Sequence, residues 1–180
     1  MLERVDSFLA ACMTVNPAAR DAGLPPFTAP LGRETPLDSS PYVYDVARFA
    51  DAFAGSEQRR VLLTALLTRV AALEQAGIRV DLLLVGGSFL RLGQEPRDID
   101  ALGVYTLTCD PEAGAAALSQ AMARGDMADL HLCPADAHPA VLIKRAIYFS
   151  NTFAYDKGTG ALDRGIVMVV PRRAATAAAA

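Results

Sequence analysis

Val80-Asp81-Leu82-Leu83-Leu84-Val85-Gly86-Gly87-Ser88 and, after a polar loop, Arg97-Asp98-Ile99-Asp100-Ala101 are the two stretches on which the fold turns. From Val80 to Val85 the run is apolar but for Asp81, as in a strand covered on both faces, and it stops abruptly at two glycines. Asp98 to Tyr105 reads as a second strand: its apolar residues have strand length and turn formers flank it. The carboxylates of Asp98 and Asp100 therefore stand at the start of one strand, beside the glycine-marked end of another.

Working outward, Ser56 is suited to cap a long helix to about Ala76, with Leu62, Leu66, Val70 and Leu73 on one face and Gly77 as its left-handed terminator. Tyr42 to Ala54 places Val46, Phe49, Ala50 and Phe53 at helical spacing, which predicts an amphipathic helix. Residues 2–14 read as a short helix, and Val15 to Pro41 as a Pro- and Gly-rich wrapping arm. On the other side, Asp110-Pro111-Glu112 starts a helix that Gly125 ends. Met127 to Cys133 alternates as a half-covered strand, with Ala128, Leu130 and Leu132 on one face and Asp129, His131 and Cys133 on the other. Asp136 is suited to cap a helix over residues 137–149, and Gly165 to Val170 reads as a last strand. Alternating strands and helices predict an α/β (α+β) architecture, a twisted mixed sheet flanked by helices.

The chain has 180 residues, 52% of them hydrophobic, enough for one core; residues 1–173 are expected to form a single domain and 174–180 a low-complexity tail. A net charge of -3 gives no general attraction for nucleic-acid backbones, so bulk DNA or RNA binding is disfavoured. Cys12, Cys109 and Cys133 lack the spacing of a disulfide framework or a zinc knuckle. No basic region followed by an apolar run opens the chain, and arginines interrupt its most apolar stretches, so a cytoplasmic protein outside the membrane is expected. The exposed faces of the first two helices leave room for a homodimer.

At the end of a buried strand, Gly86 and Gly87 let backbone approach a ligand, and a short helix from Ser88 would turn its free N–H groups toward an anion. Ser88 adds a hydroxyl donor, and Arg91, one turn on, a positive charge. Asp98 and Asp100, one residue apart on a strand, project from the same face and are placed to share a divalent cation. Magnesium prefers such oxygen donors together with phosphate. Asp129 is a candidate third carboxylate, as metal ligand or as the base that takes an acceptor proton.

Gly87-Ser88-Phe89-Leu90-Arg91 followed by Arg97-Asp98-Ile99-Asp100 resembles the glycine-serine and paired-aspartate motifs of the polymerase-beta-like nucleotidyltransferase superfamily, over about Val80 to Tyr105. Asp129, on a strand after one intervening helix, is similar to that superfamily's third acid. The resemblance implies a nucleotidyltransferase-type fold, a nucleoside triphosphate donor and magnesium; it names no acceptor. Leu92 and Arg97 depart from the glycine and serine that small members often carry there.

Other groups fit bland roles better. Asp81 stands alone among apolar neighbours, as at a strand start or sheet edge; His131, His138 and Cys133 match no zinc spacing; Lys144 and Arg145 read as solvent-facing helix cations. Two functions remain open on the sequence: a magnesium-dependent transferase of nucleoside monophosphate to a hydroxyl of a small molecule, nucleic-acid end or protein, and a catalytically inactive relative that binds nucleotide or a partner protein.

Overall fold

The computed structural model describes residues 2–26, 37, 39–121 and 127–171. Five strands make one mixed sheet in the order β1-β7-β2-β3-β4, where β1 is Tyr42–Asp45, β2 Ile78–Gly86, β3 Ile99–Leu107, β4 Ala128–Pro134 and β7 Val167–Val170. The β1–β7 and β3–β4 pairs are parallel; β2 runs antiparallel to both β7 and β3. A separate small hairpin joins β5 (Tyr155–Asp156) to β6 (Ala161–Leu162). The mixed α/β sheet flanked by helices is thus the architecture the alternating pattern predicts.

One face of the sheet carries the main core. Helices α2 (Val46–Phe53) and α3 (Glu57–Gln75) set Phe49, Phe53, Leu62, Leu66 and Leu73 against Leu83, Val85, Ala101, Leu130 and Val167. Burying each such side chain contributes roughly 1.5–3 kcal/mol. Ser56 accepts from the Arg59 amide at 3.3 Å, and Gly77 has φ +79, so α3 begins and ends where its capping residues predict.

The other face has a thinner cover. Helix α5 (Pro139–Ala154) lays Phe153 on Leu84, Leu102, Cys133 and Ile166, leaving the ends of β3 and β4 open beside it. Helix α4 (Pro111–Ala121) starts as expected, Asp110 accepting from the Glu112 amide at 2.9 Å. Gly125, its expected terminator, and the tail lie outside the described residues.

Four expectations are corrected. Residues Tyr42–Asp45 are strand, not helix: all four are buried beside β7, and Asp45 caps α2 by accepting from the Arg48 amide at 2.8 Å. The first helix, α1 (Leu2–Asp21), runs past residue 14 and through Pro17. At the start of α5 the capping side chain is His138, whose Nδ1 accepts from the Ala140 amide at 3.2 Å, not Asp136. Asp81 lies in a central strand, at a break in the β2–β3 register. Its carboxylate is satisfied by Arg79 at 2.9 Å and Thr106 at 2.5 Å, and the extra residue shifts the inward positions from Ile78 and Val80 to Leu83 and Val85.

Among the described residues no helix is long and apolar enough to cross a membrane. Cys12, Cys109 and Cys133 are all free thiols.

Candidate functional site

Register brings the site together. Gly86 pairs with Asp100 across β2 and β3, and Asp100 pairs with Asp129 across β3 and β4, so the three lie in one row. Asp98 immediately precedes β3 rather than lying within it. All three aspartates, with Gly87 and Ser88, line an open cleft of about 750 Å³ on the α5 side of the sheet.

Gly87 opens a short 3-10 helix, Gly87–Leu90, with φ +70, a conformation that strains other residues. A β-carbon there would stand 2.8 Å from Oδ2 of Asp100, so the glycine also lets this carboxylate approach the backbone. Gly86, expected at the ligand, has a packing reason instead: its missing β-carbon leaves room for Phe153 of α5, which would otherwise be 2.3 Å away. Ser88 is half-buried at the cleft wall.

The electrostatics are those of crowded carboxylates. Burial, then Asp98 and Asp129, push the Asp100 carboxyl up to about 6, partly offset by His131 and Lys157. On β4 the Nε2 of His131 lies 3.5 Å from Oδ2 of Asp129. Oxygen donors of this kind suit a hard divalent cation that completes its shell with water and phosphate. Among the described residues no group of three His, Cys, Asp or Glu side chains is placed to hold a metal ion by itself. The three aspartates form an open rim of carboxylates at the cleft, so any ion held there would draw its further ligands from water or a substrate.

Arg91 reaches the cleft, but its guanidinium is ion-paired with Asp156 rather than free for a ligand. Lys144 is exposed, and Arg145 donates to the Leu132 carbonyl at 2.8 Å; neither lines the cleft. Three cleft residues escape the sequence reading: Asp156, Lys157 and Arg164, on or beside the β5–β6 hairpin. Their signal is the turn-forming Asp156-Lys157-Gly158-Thr159-Gly160.

A fourth missed residue is Arg59, 3% exposed on the inner face of α3. It donates to the carbonyls of Phe53 (3.2 Å), Phe89 (2.6 Å), Arg91 and Gln94 (2.8 Å), and lies over the Phe89 ring at 5.5 Å. Burial lowers its pKa from the usual guanidinium value. The side chain ties the loop between β2 and β3 to the core and so holds Ser88 in place.

Residues 20–170 match a family of unknown function, DUF6932. The chain belongs to that family. The DUF6932 match takes in the whole lining of the cleft, from Gly87 to Arg164. No curated protein and no solved structure matches the chain. A second hollow of this DUF6932 chain, about 590 Å³ between α3 and the start of β4, offers no comparable chemistry. Its Arg60 pairs with Glu57 at 2.9 Å, and its Arg69 donates to the Ala128 carbonyl.

Proposed function

We propose that this chain is a magnesium-dependent nucleotidyltransferase with a nucleotidyltransferase-type fold. In this reading it moves a nucleoside monophosphate from a nucleoside triphosphate to an acceptor hydroxyl, in a cytoplasmic setting. The observation that carries the proposal is the convergence of Asp98, Asp100 and Asp129 on one cleft beside Gly87 and Ser88, with Asp100 raised to about 6 by its neighbours and burial. Crowded carboxylates facing a glycine-serine loop are what a metal–triphosphate ligand requires.

Asp98, Asp100 and Asp129 would hold the cation, which supplies charge neutralisation at the triphosphate and the leaving pyrophosphate. The Ser88 hydroxyl donates to a phosphate oxygen. The acceptor oxygen bonds to the α-phosphorus, the bond from that phosphorus to its bridging oxygen breaks, and pyrophosphate leaves with the electron pair. The acceptor proton passes to a cleft carboxylate; Asp129, within ion-pair reach of His131, is the one assigned to it.

The test is incubation of the full chain with each labelled nucleoside triphosphate, magnesium and candidate acceptors, beside Asp98→Asn and Asp100→Asn. Label transfer lost in both variants supports the enzyme. A function that persists in Asp100→Asn and needs no magnesium would favour the inactive binding module instead.

A further inference from the structure

A transferase needs a hydroxyl to receive the nucleotide, and the cleft carries hydroxyls in its own wall, on Ser88, Tyr148, Thr152 and Tyr155. Ser88 belongs to the proposed phosphate loop. The Thr152 hydroxyl donates to the Tyr148 carbonyl, one turn earlier on α5, at 2.9 Å. That leaves two phenols, Tyr148 and Tyr155, and neither hydroxyl has a hydrogen-bond partner among the described residues.

The two tyrosines differ in what stands beside them. The Tyr148 ring meets Phe149 edge-on, with centroids 5.2 Å apart. The Phe149 ring in turn lies 4.5 Å from the ring of His131, whose Nε2 is 3.5 Å from Oδ2 of Asp129. Tyr148 is thus joined to the acid row by an unbroken run of neighbouring side chains. Tyr155, which opens β5, makes no ring contact among the described residues. Packing gives no account of Tyr148: it is 63% exposed, the most of any large apolar or aromatic side chain described, while Phe149 and Phe153 are the aromatic residues of α5 that turn to the sheet. An acceptor built into the wall of the cleft avoids the entropic cost of bringing one from solution.

We infer that Tyr148 is a self-modification site, to which the chain transfers a nucleoside monophosphate. This rests on the transferase reading and names an acceptor for it. The Tyr148 phenol oxygen bonds to the α-phosphorus of the nucleoside triphosphate, and the bond from that phosphorus to its bridging oxygen breaks. Pyrophosphate leaves with the electron pair, the phenol proton passes to Asp129, and a phosphodiester joins the tyrosine to the nucleoside. No further reactant is required. Because the tyrosine and the acid row line the same cleft, the step runs within one chain.

The test incubates the full chain with magnesium and each α-labelled nucleoside triphosphate, first without an acceptor and then with candidate acceptors. Label on the protein is followed with time, its position is mapped by peptide mass spectrometry, and released pyrophosphate is measured alongside. The unchanged protein is compared with Tyr148→Phe, Tyr155→Phe and Asp100→Asn; both tyrosines are exposed, so phenylalanine keeps the fold, which circular dichroism verifies. Label should appear on Tyr148, persist in Tyr155→Phe and vanish in Tyr148→Phe and Asp100→Asn, with a rate per chain that dilution of the protein leaves unchanged. Label on another residue, label that persists in Tyr148→Phe, or a rate per chain that rises with protein concentration overturns the inference. Pyrophosphate release that needs magnesium and Asp100 while the protein stays unlabelled also overturns it and leaves the transferase reading intact. Label that survives Asp100→Asn, or the absence of both protein label and pyrophosphate release with every acceptor, overturns both.

Discussion

Asp100→Asn should make the protein more stable, and only above a definite pH. The Asp100 carboxyl rises from 3.8 to about 6 in the folded state, so the folded protein holds that proton more tightly than the unfolded chain. The resulting stability is fully present below about 3.8 and is lost as pH rises through about 6. At pH 8 the folded state bears the full cost of a charged Asp100 that is partly buried and, second to that, stands among Asp98 and Asp129. Two pKa units correspond to about 3 kcal/mol, and solvent screening of a partly exposed group reduces this to about 1–2 kcal/mol. Asparagine removes the charge at every pH. Thermal unfolding in a chelator should show Asp100→Asn melting roughly 2–8 °C above the unchanged protein at pH 8, the gap closing toward pH 4. A variant less stable at pH 8, or a gap that does not change with pH, would refute the account of a carboxyl raised by burial and crowding.

Magnesium should relieve the same repulsion, so it raises the melting temperature of the unchanged protein more at pH 8 than at pH 5, and leaves an Asp98→Asn, Asp100→Asn double variant unmoved in the same assay. Gly87→Ala forces a side chain into φ +70 and to 2.8 Å from the Asp100 carboxylate, a cost of about 1–3 kcal/mol in urea unfolding. It should also remove label transfer, because the displaced Asp100 leaves the row. Arg59→Leu strands the four carbonyls that this guanidinium satisfies and should cost about 3 kcal/mol or more by urea unfolding. Arg59→Lys should recover only part, since one ammonium cannot span the same fork.

Patterns dictated by short-range physics were legible. The apolar run ending at Gly86-Gly87, the capped helix from Ser56 to Gly77 and the alternating Ala128 to Cys133 each state their own geometry, and together they bring Ser88, Asp98, Asp100 and Asp129 to one cleft. What stayed hidden depends on partners distant in the chain. Tyr42–Asp45 runs into a helix with no breaker between them, so its aromatic residues join the helical period of Val46 and Phe49, and only pairing with β7 makes it a strand. Asp81 looks like an edge residue because a register break cannot be seen without the opposing strand. Arg91 reads as a ligand cation until Asp156 is found beside it, and nothing in the sequence around Arg59 announces the carbonyls of the 89–94 loop that close over it. Buried ion pairs and side-chain-to-carbonyl ties leave no periodic signature.

The most direct test of the transferase reading uses two labels on one donor. With magnesium, the preferred nucleoside triphosphate and the acceptor, label in the α-phosphate should appear in the product, while label in the γ-phosphate should appear only in pyrophosphate. Transfer of the γ-label to the acceptor, or α-label transfer that survives Asp98→Asn and Asp100→Asn, would contradict the account.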